Sequence, residues 1–257
     1  MPTVADRIAQ TVVRNYLEPE VEPLCHPDSY GYRPGRSAHD ALAVCRERCW
    51  KFDWVIDLML KAVSKHTGLR WALLYIERWL KTPLQREDGT LVKRERGAPQ
   101  GSAIAPLLAN LFLHYAFDMW MYRNFPACPF ERYADDGVVH CKSEAEARTV
   151  LEVLSTRMAQ VGLELHPDKT RIVYCRDSNR TGSYEHEQFT FLGYTFRPRR
   201  SKGKRGWFVG FLPAVSNDAA KGVRTEIKRW RLHLRSDLSL KDLADWVNPV
   251  VRGWVAY

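Results

Sequence analysis

The sequence predicts an α+β fold in which an antiparallel sheet is followed by a short, basic helical region. Helix and strand patterns are mixed along the chain, and the strand patterns come in hairpins. This order favours an antiparallel sheet over a doubly wound parallel one. Strand patterns stop near residue 212, where basic helices begin. These observations predict one boundary near residue 212.

The first 170 residues are predicted to hold helices separated by short strands and polar turns. Apolar residues at three- to five-residue steps predict the first helix, which Thr3 can cap. Ser37 is predicted to begin the second helix after a loop rich in turn-forming residues. The predicted elements are helices at 4–24, 37–50, 59–80, 104–120 and 143–160, strands at 52–58, 130–133 and 137–140, and turns at 29–36, 87–90, 97–102 and 166–168.

The last third of the chain is predicted to end its sheet and then become helical. After a strand at 171–174, a strand pair at 189–196 and 207–212 is predicted to enclose a basic loop at 197–206. Ser216 then caps a basic helix of about 20 residues, to judge from its spacing of apolar residues. A final amphipathic segment begins at Leu240.

The composition predicts a folded chain without a membrane span. Of the 257 residues 45% are hydrophobic, which is enough for a packed core. No apolar run approaches the ~18 residues that a membrane helix needs, and the N-terminus lacks the features of a signal peptide. We therefore expect a cytoplasmic protein with no membrane partner. The six cysteines include no CxxC pair and are expected to be reduced, mostly buried thiols.

The positive charge of the chain is concentrated near its C-terminal end. Residues 1–190 carry 25 basic and 25 acidic side chains, whereas residues 191–257 carry 14 basic and 5 acidic ones. A local basic excess is typical of a surface that binds a polyanion, and a solvated basic tail is the alternative.

Two adjacent carboxylates, Asp135 and Asp136, lie in a predicted tight turn between two strands. Their negative charges repel, so cations must offset them. Magnesium prefers carboxylate and phosphate oxygens, and a pair of such ions can activate a hydroxyl and stabilise a leaving pyrophosphate. An Asp-Asp turn on its own is usually only solvated. With Tyr133 and Ala134 before it, however, the turn resembles the polymerase motif of reverse transcriptases.

Five further segments resemble the same family, and they occur in the family's order. The whole set covers nearly the entire chain and is similar to the bacterial group II intron-encoded reverse transcriptase/maturase. The resemblance implies partial fingers at 1–50, a palm at 51–212, and a partial thumb with the start of the maturase region at 213–257. The segments are 29–34 in the fingers, 97–102 with 106–110 on the nucleotide side, 163–170 around a lysine, 191–194 on the primer side, and 248–254 in the maturase region.

The resemblance also implies an activity and its site residues. The implied reaction is RNA-directed DNA synthesis from a DNA primer on an intron RNA template, with deoxynucleoside triphosphates, Mg²⁺ and maturase-type intron RNA binding. Asp135 and Asp136 would be metal ligands. Lys169 would lie near the triphosphate as a cation or proton donor, unless it is a solvated lysine. The implied nucleotide-binding residues are Pro99, Gln100, Gly101 and Arg7, of which Arg7 can equally be a surface arginine.

Three segments are predicted to hold the primer and template, and one of them is the basic loop at 197–206, with the cations Arg197, Arg199, Arg200, Lys202, Lys204 and Arg205. Phe191, Leu192 and Gly193 would support the primer end, although Phe191 can also be an ordinary core residue. The basic helix after Ser216 has cations at three- and four-residue steps, which places them on one face, opposite apolar residues. That face suits a nucleic-acid backbone. It comprises Lys221, Arg224, Lys228 and Arg231, with Ile227, Trp230 and Leu234 on the other side.

One strand departs from the family pattern. The family provides its third metal-binding carboxylate from a strand that reads like Trp-Val-Ile-Asp-Leu-Asp. Here Met59 follows Leu58, and a short segment of the family pattern is missing, together with the aromatic residue that rejects a ribose 2′-hydroxyl. Asp57 is a partial substitute, because residues two apart in a strand share a face about 6.6 Å apart. Alternatively, Asp57 caps the following helix.

Two hypotheses follow for this truncated, internally deleted copy. The first is an RNA-directed DNA polymerase of weak or no activity. The second is a non-catalytic RNA-binding relic of such an enzyme. The missing third carboxylate is the feature that separates them.

Overall fold

The computed structural model describes residues 3–59, 78, 84–85, 90–92, 101–204 and 206–256. Its helices are α1 (Val4–Val21), α2 (Ala38–Cys49), α3 (Ala105–Leu113), α4 (Met119–Asn124), α5 (Glu144–Gln160), α6 (Asn217–Trp230) and α7 (Leu240–Ala256), with 3-10 turns at Glu22–Leu24 and Leu232–Leu234 and a π-helical turn at His114–Asp118. Its strands are β1 (Trp54–Met59), β2 (Leu84–Gln85), β3 (Leu91–Val92), β4 (Phe130–Tyr133), β5 (Asp136–Cys141), β6 (Arg171–Tyr174), β7 (Phe189–Phe191), β8 (Tyr194–Gly203) and β9 (Gly206–Val215).

The central sheet is antiparallel throughout, which confirms the predicted α+β class. Its strand order is β4-β5-β1-β6. Strand β1 pairs with β5 from Trp54 opposite Cys141 to Met59 opposite Asp136. A second antiparallel sheet has the order β7-β8-β9, and β2 pairs with β3 around the predicted 87–90 turn, of which residues 87–89 lie outside the described residues.

Both faces of the central sheet are covered, because alternate side chains of each strand enter different cores. On one face Ile56 packs with Phe117 and with Leu154 of α5. On the other face Val55 packs with α2 and the second sheet, where Phe211 is buried. The described part of the chain contains no helix with the length and apolarity needed to cross a bilayer. Five of the six cysteines are buried free thiols, as predicted.

The predicted helix starts are confirmed by their caps. Thr3 and Ser37 each form a capping box with an aspartate three residues later. Such reciprocal hydrogen bonds satisfy backbone groups that the first helical turn leaves unpaired. Ser143 and Ser216 cap α5 and α6 without a capping box, since in each only the side-chain oxygen accepts a backbone N–H. Pro19 lies inside α1, which continues to Val21.

Three predicted boundaries were wrong. Met59 ends β1 and does not begin a helix, and most of the predicted 59–80 helix lies outside the described residues. The basic segment at 197–206 is largely strand, because every residue from Tyr194 to Gly203 pairs with β9, which itself continues to Val215. Helix α6 is shorter than predicted, since Arg231 is left-handed (φ 48°) and ends it.

Candidate active site

The two adjacent carboxylates lie at the tip of the β4–β5 hairpin. Tyr133 pairs with Asp136, so Ala134 and Asp135 form a two-residue turn. Asp135 is exposed and Asp136 is half-buried. Ala134 is left-handed, with a φ of 54°, a conformation that costs a residue with a Cβ about 1–2 kcal/mol. Neighbouring groups must therefore hold this turn in place.

A fully buried arginine, Arg132, provides one of those contacts. Its Nη1 donates to the carbonyl oxygen of Ala134 at 3.0 Å. Its Nε and Nη2 donate to both carboxylate oxygens of Asp118, each at 2.7 Å. The remaining two donors reach Asn110 at 3.1 Å and Ser29 at 2.8 Å. All five guanidinium N–H groups are thus used, and their partners tie the Ala134–Asp135 turn to α3, to the π-helical turn and to the loop that contains Ser29.

The same loop also packs directly on the turn. A Cβ added at Gly31 would lie 2.4 Å from the backbone nitrogen of Ala134, so only glycine fits. The Asn110 side chain donates to the Gly31 carbonyl oxygen at 2.5 Å. Tyr30 N donates to the Arg132 carbonyl oxygen at 2.8 Å, which adds this loop to the edge of β4. The predicted finger loop therefore supports the two carboxylates.

Strand β1 brings a third carboxylate close to the pair. Asp57 is half-buried and lies opposite Val138 of β5 and Arg171 of β6. Met59, two residues later and on the same face, stands directly opposite Asp136. The position beside Asp136 is therefore occupied by a thioether, and the carboxylate of Asp57 is one strand repeat away.

Burial, with a smaller contribution from neighbouring carboxylates, raises the pKa of Asp57 and of Asp136. Burial raises the pKa of Asp57 to about 7, with Arg171 opposing the rise and Asp136 adding to it. Burial and then the charge of Asp135 raise the pKa of Asp136 to about 6, while Lys169 lowers it. A divalent cation would relieve this repulsion.

Lys169 lies close to Asp136, and its charge lowers the pKa of that carboxyl group. Its side chain is exposed, and its Nζ is 3.4 Å from the Met59 sulfur. The turn that carries it is joined to β1, because His166 N donates to the Met59 carbonyl oxygen at 3.3 Å. The site thus unites Asp57, Asp135, Asp136 and Lys169 around Met59.

The oxygens of Asp135 and Asp136 suit a hard cation such as Mg²⁺, whereas the thioether of Met59 does not. Among the described residues, sets of three ligand atoms within 4.8 Å of one another occur at two other places, and the three aspartates form no such set. In one of these places, Glu131 is already bound to Arg48 and His140. The other is formed by Cys128, Cys141 and Glu146. Asp135 and Asp136 are therefore the groups beside Met59 whose chemistry fits a hard cation.

The predicted nucleotide side is described only in part. Pro99 and Gln100 lie outside the described residues, and Gly101 is left-handed with a φ of 83°. Just after it, Ala103 N donates to the side chain of Gln10 at 2.9 Å. Arg7 is exposed on α1, one turn before Gln10. Gln10, which sequence reasoning missed, thus joins the helix of Arg7 to this loop.

The predicted primer side is a turn attached to the basic helix. Phe191 is buried in the core, while Leu192 and Gly193 form the turn between β7 and β8 with φ values of 49° and 77°. The Gly193 carbonyl oxygen accepts from Ser216 N at 2.8 Å, and Ser216 caps α6. Of the three predicted residues, Phe191 has a core position, and the other two form the link to α6.

The basic face of α6 is smaller than predicted. Lys221, Arg224 and Lys228 are exposed. Arg231 does not continue their face, because the helix ends before it. The apolar face on the other side of α6 also has fewer buried residues than predicted. Trp230 is buried and stacks on Trp254 with ring centroids 5.4 Å apart, whereas Ile227 and Leu234 are exposed.

The supporting residues around Arg132 were the main omission of the sequence analysis. A charged residue on a strand next to an acidic turn is the only signal that pointed to Arg132. Asn110 lies in a segment that resembles the family, but its contact with Gly31 had no local signal. Asp118 reads as an ordinary helix residue.

Two family models match the chain. The model described as reverse transcriptase (RNA-dependent DNA polymerase) matches residues 1–196. The model described as group II intron, maturase-specific domain, matches residues 220–257. Together they leave only a short segment, which lies in β8, β9 and the start of α6, outside both matches.

Two curated proteins and one solved structure are similar to parts of this chain. Protein YkfC of Escherichia coli (strain K12) is 27% identical, over 83% of this chain and 66% of that protein. Group II intron-encoded protein LtrA of Lactococcus lactis subsp. cremoris is 30% identical, over 44% of this chain and 21% of LtrA. A solved structure of apo telomerase from Candida tropicalis has a TM-score of 0.48 and 11% identity, over 75% of this chain and 43% of that one. The chain thus spans 66% or less of the length of each of these three proteins.

Proposed function

This chain belongs to the reverse transcriptase (RNA-dependent DNA polymerase) family, and from that membership we propose that it is an RNA-directed DNA polymerase of the group II intron type. It would extend the 3′-hydroxyl of a DNA primer on an RNA template, with deoxynucleoside triphosphates as substrates. Its C-terminal region would provide maturase-type binding of intron RNA. The observation that carries the proposal is the Asp135–Asp136 turn beside β1, with Lys169 next to it.

Each residue has a distinct role in this proposal. Asp135 and Asp136 would hold Mg²⁺, which when bound lowers the pKa of a hydroxyl and neutralises phosphate charge. The exposed ammonium of Lys169 would stabilise the departing pyrophosphate or protonate it. Gly101 allows the backbone to approach a nucleotide, and Arg7 would contact the triphosphate. Leu192 and Gly193 would support the primer end, and Lys221, Arg224 and Lys228 would grip the nucleic-acid backbone.

We further propose that this copy is weak or inactive. The family's third carboxylate belongs at the position of Met59, opposite Asp136. A thioether is a soft ligand that does not replace a carboxylate at a magnesium site. Asp57 lies one strand repeat away, about 6.6 Å along the strand, and Mg²⁺–oxygen bonds near 2.1 Å tolerate little of that displacement.

The alternative function is a non-catalytic RNA-binding relic, and the same residue, Met59, favours it. A chain that has lost one metal ligand can still keep its basic surfaces, because phosphate contacts do not depend on the catalytic metal. In the relic the buried network around Arg132 would have only a structural role. The two functions differ in one measurable property, which is extension of a primer.

The deciding experiment is primer extension on a homopolymer RNA template with Mg²⁺. Wild-type chain, Asp136→Asn and the control Asp168→Asn are compared, because Asp168 is an exposed acid in the turn that carries Lys169. We expect weak extension that Asp136→Asn abolishes and Asp168→Asn leaves unchanged. RNA binding without any extension would favour the relic. Robust wild-type extension, lost in Asp136→Asn, would show that Asp57 substitutes for the third ligand and that the proposed weakness is wrong.

A further inference from the structure

The β8–β9 ribbon carries an unusual concentration of positive charge. From Tyr194 to Val215 the sequence has six basic residues and no acidic one. Phe196 and Phe211 bury the base of the ribbon in the core. Farther out, Val209 N donates to the Ser178 side chain at 2.7 Å. Most of the described residues between that contact and the tip are exposed, so this part of the ribbon is accessible to a partner.

The ribbon's register sorts its side chains into two faces. Lys202 is paired with Trp207, and Arg200 lies two residues from Lys202, so these three side chains share one face. Phe208, next in the chain, projects from the opposite face. The aromatic and basic groups of the first face therefore form one continuous surface.

Trp207 is largely exposed to solvent although its side chain is large and aromatic. Its exposed fraction is 63%, and the guanidinium carbon of Arg200 lies 4.8 Å from its ring centroid. The guanidinium covers one side of the indole and leaves the other side to solvent. A flat aromatic surface next to two cations matches the chemistry of proteins that bind single-stranded nucleic acid, where bases stack on rings and phosphates meet Arg or Lys.

We propose that Trp207 stacks on a base of single-stranded RNA while Arg200 and Lys202 contact its phosphates. The inference rests on the proposed function for the choice of RNA as the partner. The ribbon's lack of acidic side chains gives it charge complementarity to a polyanion along its whole length. The site lies apart from the basic helix α6 and would add a stacking contact, which a purely basic helix does not provide.

The test measures affinity by fluorescence anisotropy, using the full chain and a labelled single strand of about 12 nucleotides, within the usual range of site sizes. A second strand with the same phosphates but abasic sugars serves as the probe without bases. The variants are Trp207→Ala, Trp207→Phe and, as a matched control on the other face, Phe208→Ala, which removes a ring that is 44% exposed. Thermal unfolding of each variant checks that the fold is kept.

We expect Trp207→Ala to weaken RNA binding by roughly tenfold or more, because that is the typical effect of removing one stacking ring. Binding of the abasic strand and the salt dependence of RNA binding should change little. Trp207→Phe should keep most of the affinity, and Phe208→Ala should behave like wild type. Arg200→Ala should instead lower the slope of log affinity against log salt by about 0.7, the value for one phosphate contact to a single strand.

Three results would overturn the inference. They are unchanged RNA affinity in Trp207→Ala, an equal loss for the abasic strand, and failure of the wild-type chain to bind the RNA. Unchanged affinity would leave the aromatic face for a protein partner. None of the three measures DNA synthesis, so the primer-extension experiment separately decides the proposed polymerase.

Discussion

Replacing Met59 by aspartate should restore a carboxylate next to Asp136. The two residues are directly opposite in the β1–β5 pair, and side chains so placed have Cβ atoms about 4.5–5.5 Å apart. Carboxylates at that separation can share one divalent cation. The Met59 sulfur already lies 3.4 Å from Lys169 Nζ, so the shorter aspartate would also have a cation nearby. The substitution thus tests the position proposed for the missing ligand.

The expected gain follows from the electrostatics of the transition state. Removing one preorganised electrostatic group from an active site commonly costs about 10²–10³ in rate. Restoring one should therefore raise kcat/KM by roughly 10²-fold, which corresponds to about 2.7 kcal/mol at 1.36 kcal/mol per factor of ten. In the absence of metal, the added carboxylate should lower the free energy of unfolding, because it adds a negative charge to a cluster of carboxylates that already repel one another. Saturating Mg²⁺ should offset that loss, since a ligand at 100 times its Kd stabilises by about 2.7 kcal/mol.

Two measurements check this prediction. Primer extension gives the change in rate, and thermal unfolding with and without Mg²⁺ gives the change in metal binding. Met59→Asn is the matched control, because the asparagine side chain has nearly the same shape as that of aspartate and carries no charge. The double variant Met59→Asp with Asp136→Asn should lose the gain. If Met59→Asp neither exceeds Met59→Asn in activity nor increases the Mg²⁺-dependent shift in Tm, the inferred ligand position is wrong.

Three further predictions concern the support and charge of the site. Arg132→Met should lower the free energy of unfolding in urea by about 3–5 kcal/mol, because it leaves Asp118 buried without its partner; a change below 1 kcal/mol would contradict the role of the network. Gly31→Ala should lower stability because its Cβ would collide with the Ala134–Asp135 turn, whereas Gly222→Ala, in open space on α6, should raise it by about 0.5–1 kcal/mol; equal effects in thermal unfolding would refute the close contact. In metal-free buffer, the raised pKa of Asp57, about 7, means that the folded chain binds more protons than the unfolded chain between pH about 4 and 7. Stability from this group should therefore fall as pH rises through that range, and Asp57→Asn should lessen the fall in urea unfolding experiments; identical pH profiles would contradict the shift.

The parts of the fold that the sequence predicted well depend on short-range signals. The helix starts at Thr3 and Ser37 are determined by capping residues three positions apart. The hairpin at 130–140 has strand-forming segments on both sides of a two-residue turn, and its register follows from that turn length. These features are local, so a single sequence contains the information that determines them.

Of the parts that were missed, one depends on contacts distant in the chain and another lacks the usual strand pattern. Arg132 and Ser29 are 103 residues apart, and no periodicity links them. The basic ribbon was read as a loop because its charges resemble a solvated turn. In a two-stranded ribbon with both faces exposed, polar residues can occupy every position, so the alternation that usually marks a strand is lost. The segment nevertheless pairs with β9, the next strand in the chain, along its whole length.

The register of β1 also bears on whether Asp57 replaces the missing ligand. From residue spacing alone, Asp57 could point towards the proposed metal site, because Asp57 and Met59 share one face of the strand. In the structure Asp57 lies opposite Arg171, and that guanidinium opposes the rise in the pKa of Asp57. Because a cationic side chain already offsets part of its charge, moving Asp57 towards a metal would require giving up this interaction as well as crossing a strand repeat. We therefore infer that Asp57 does not take the place of the missing ligand, and that the gap in the metal site lies at Met59.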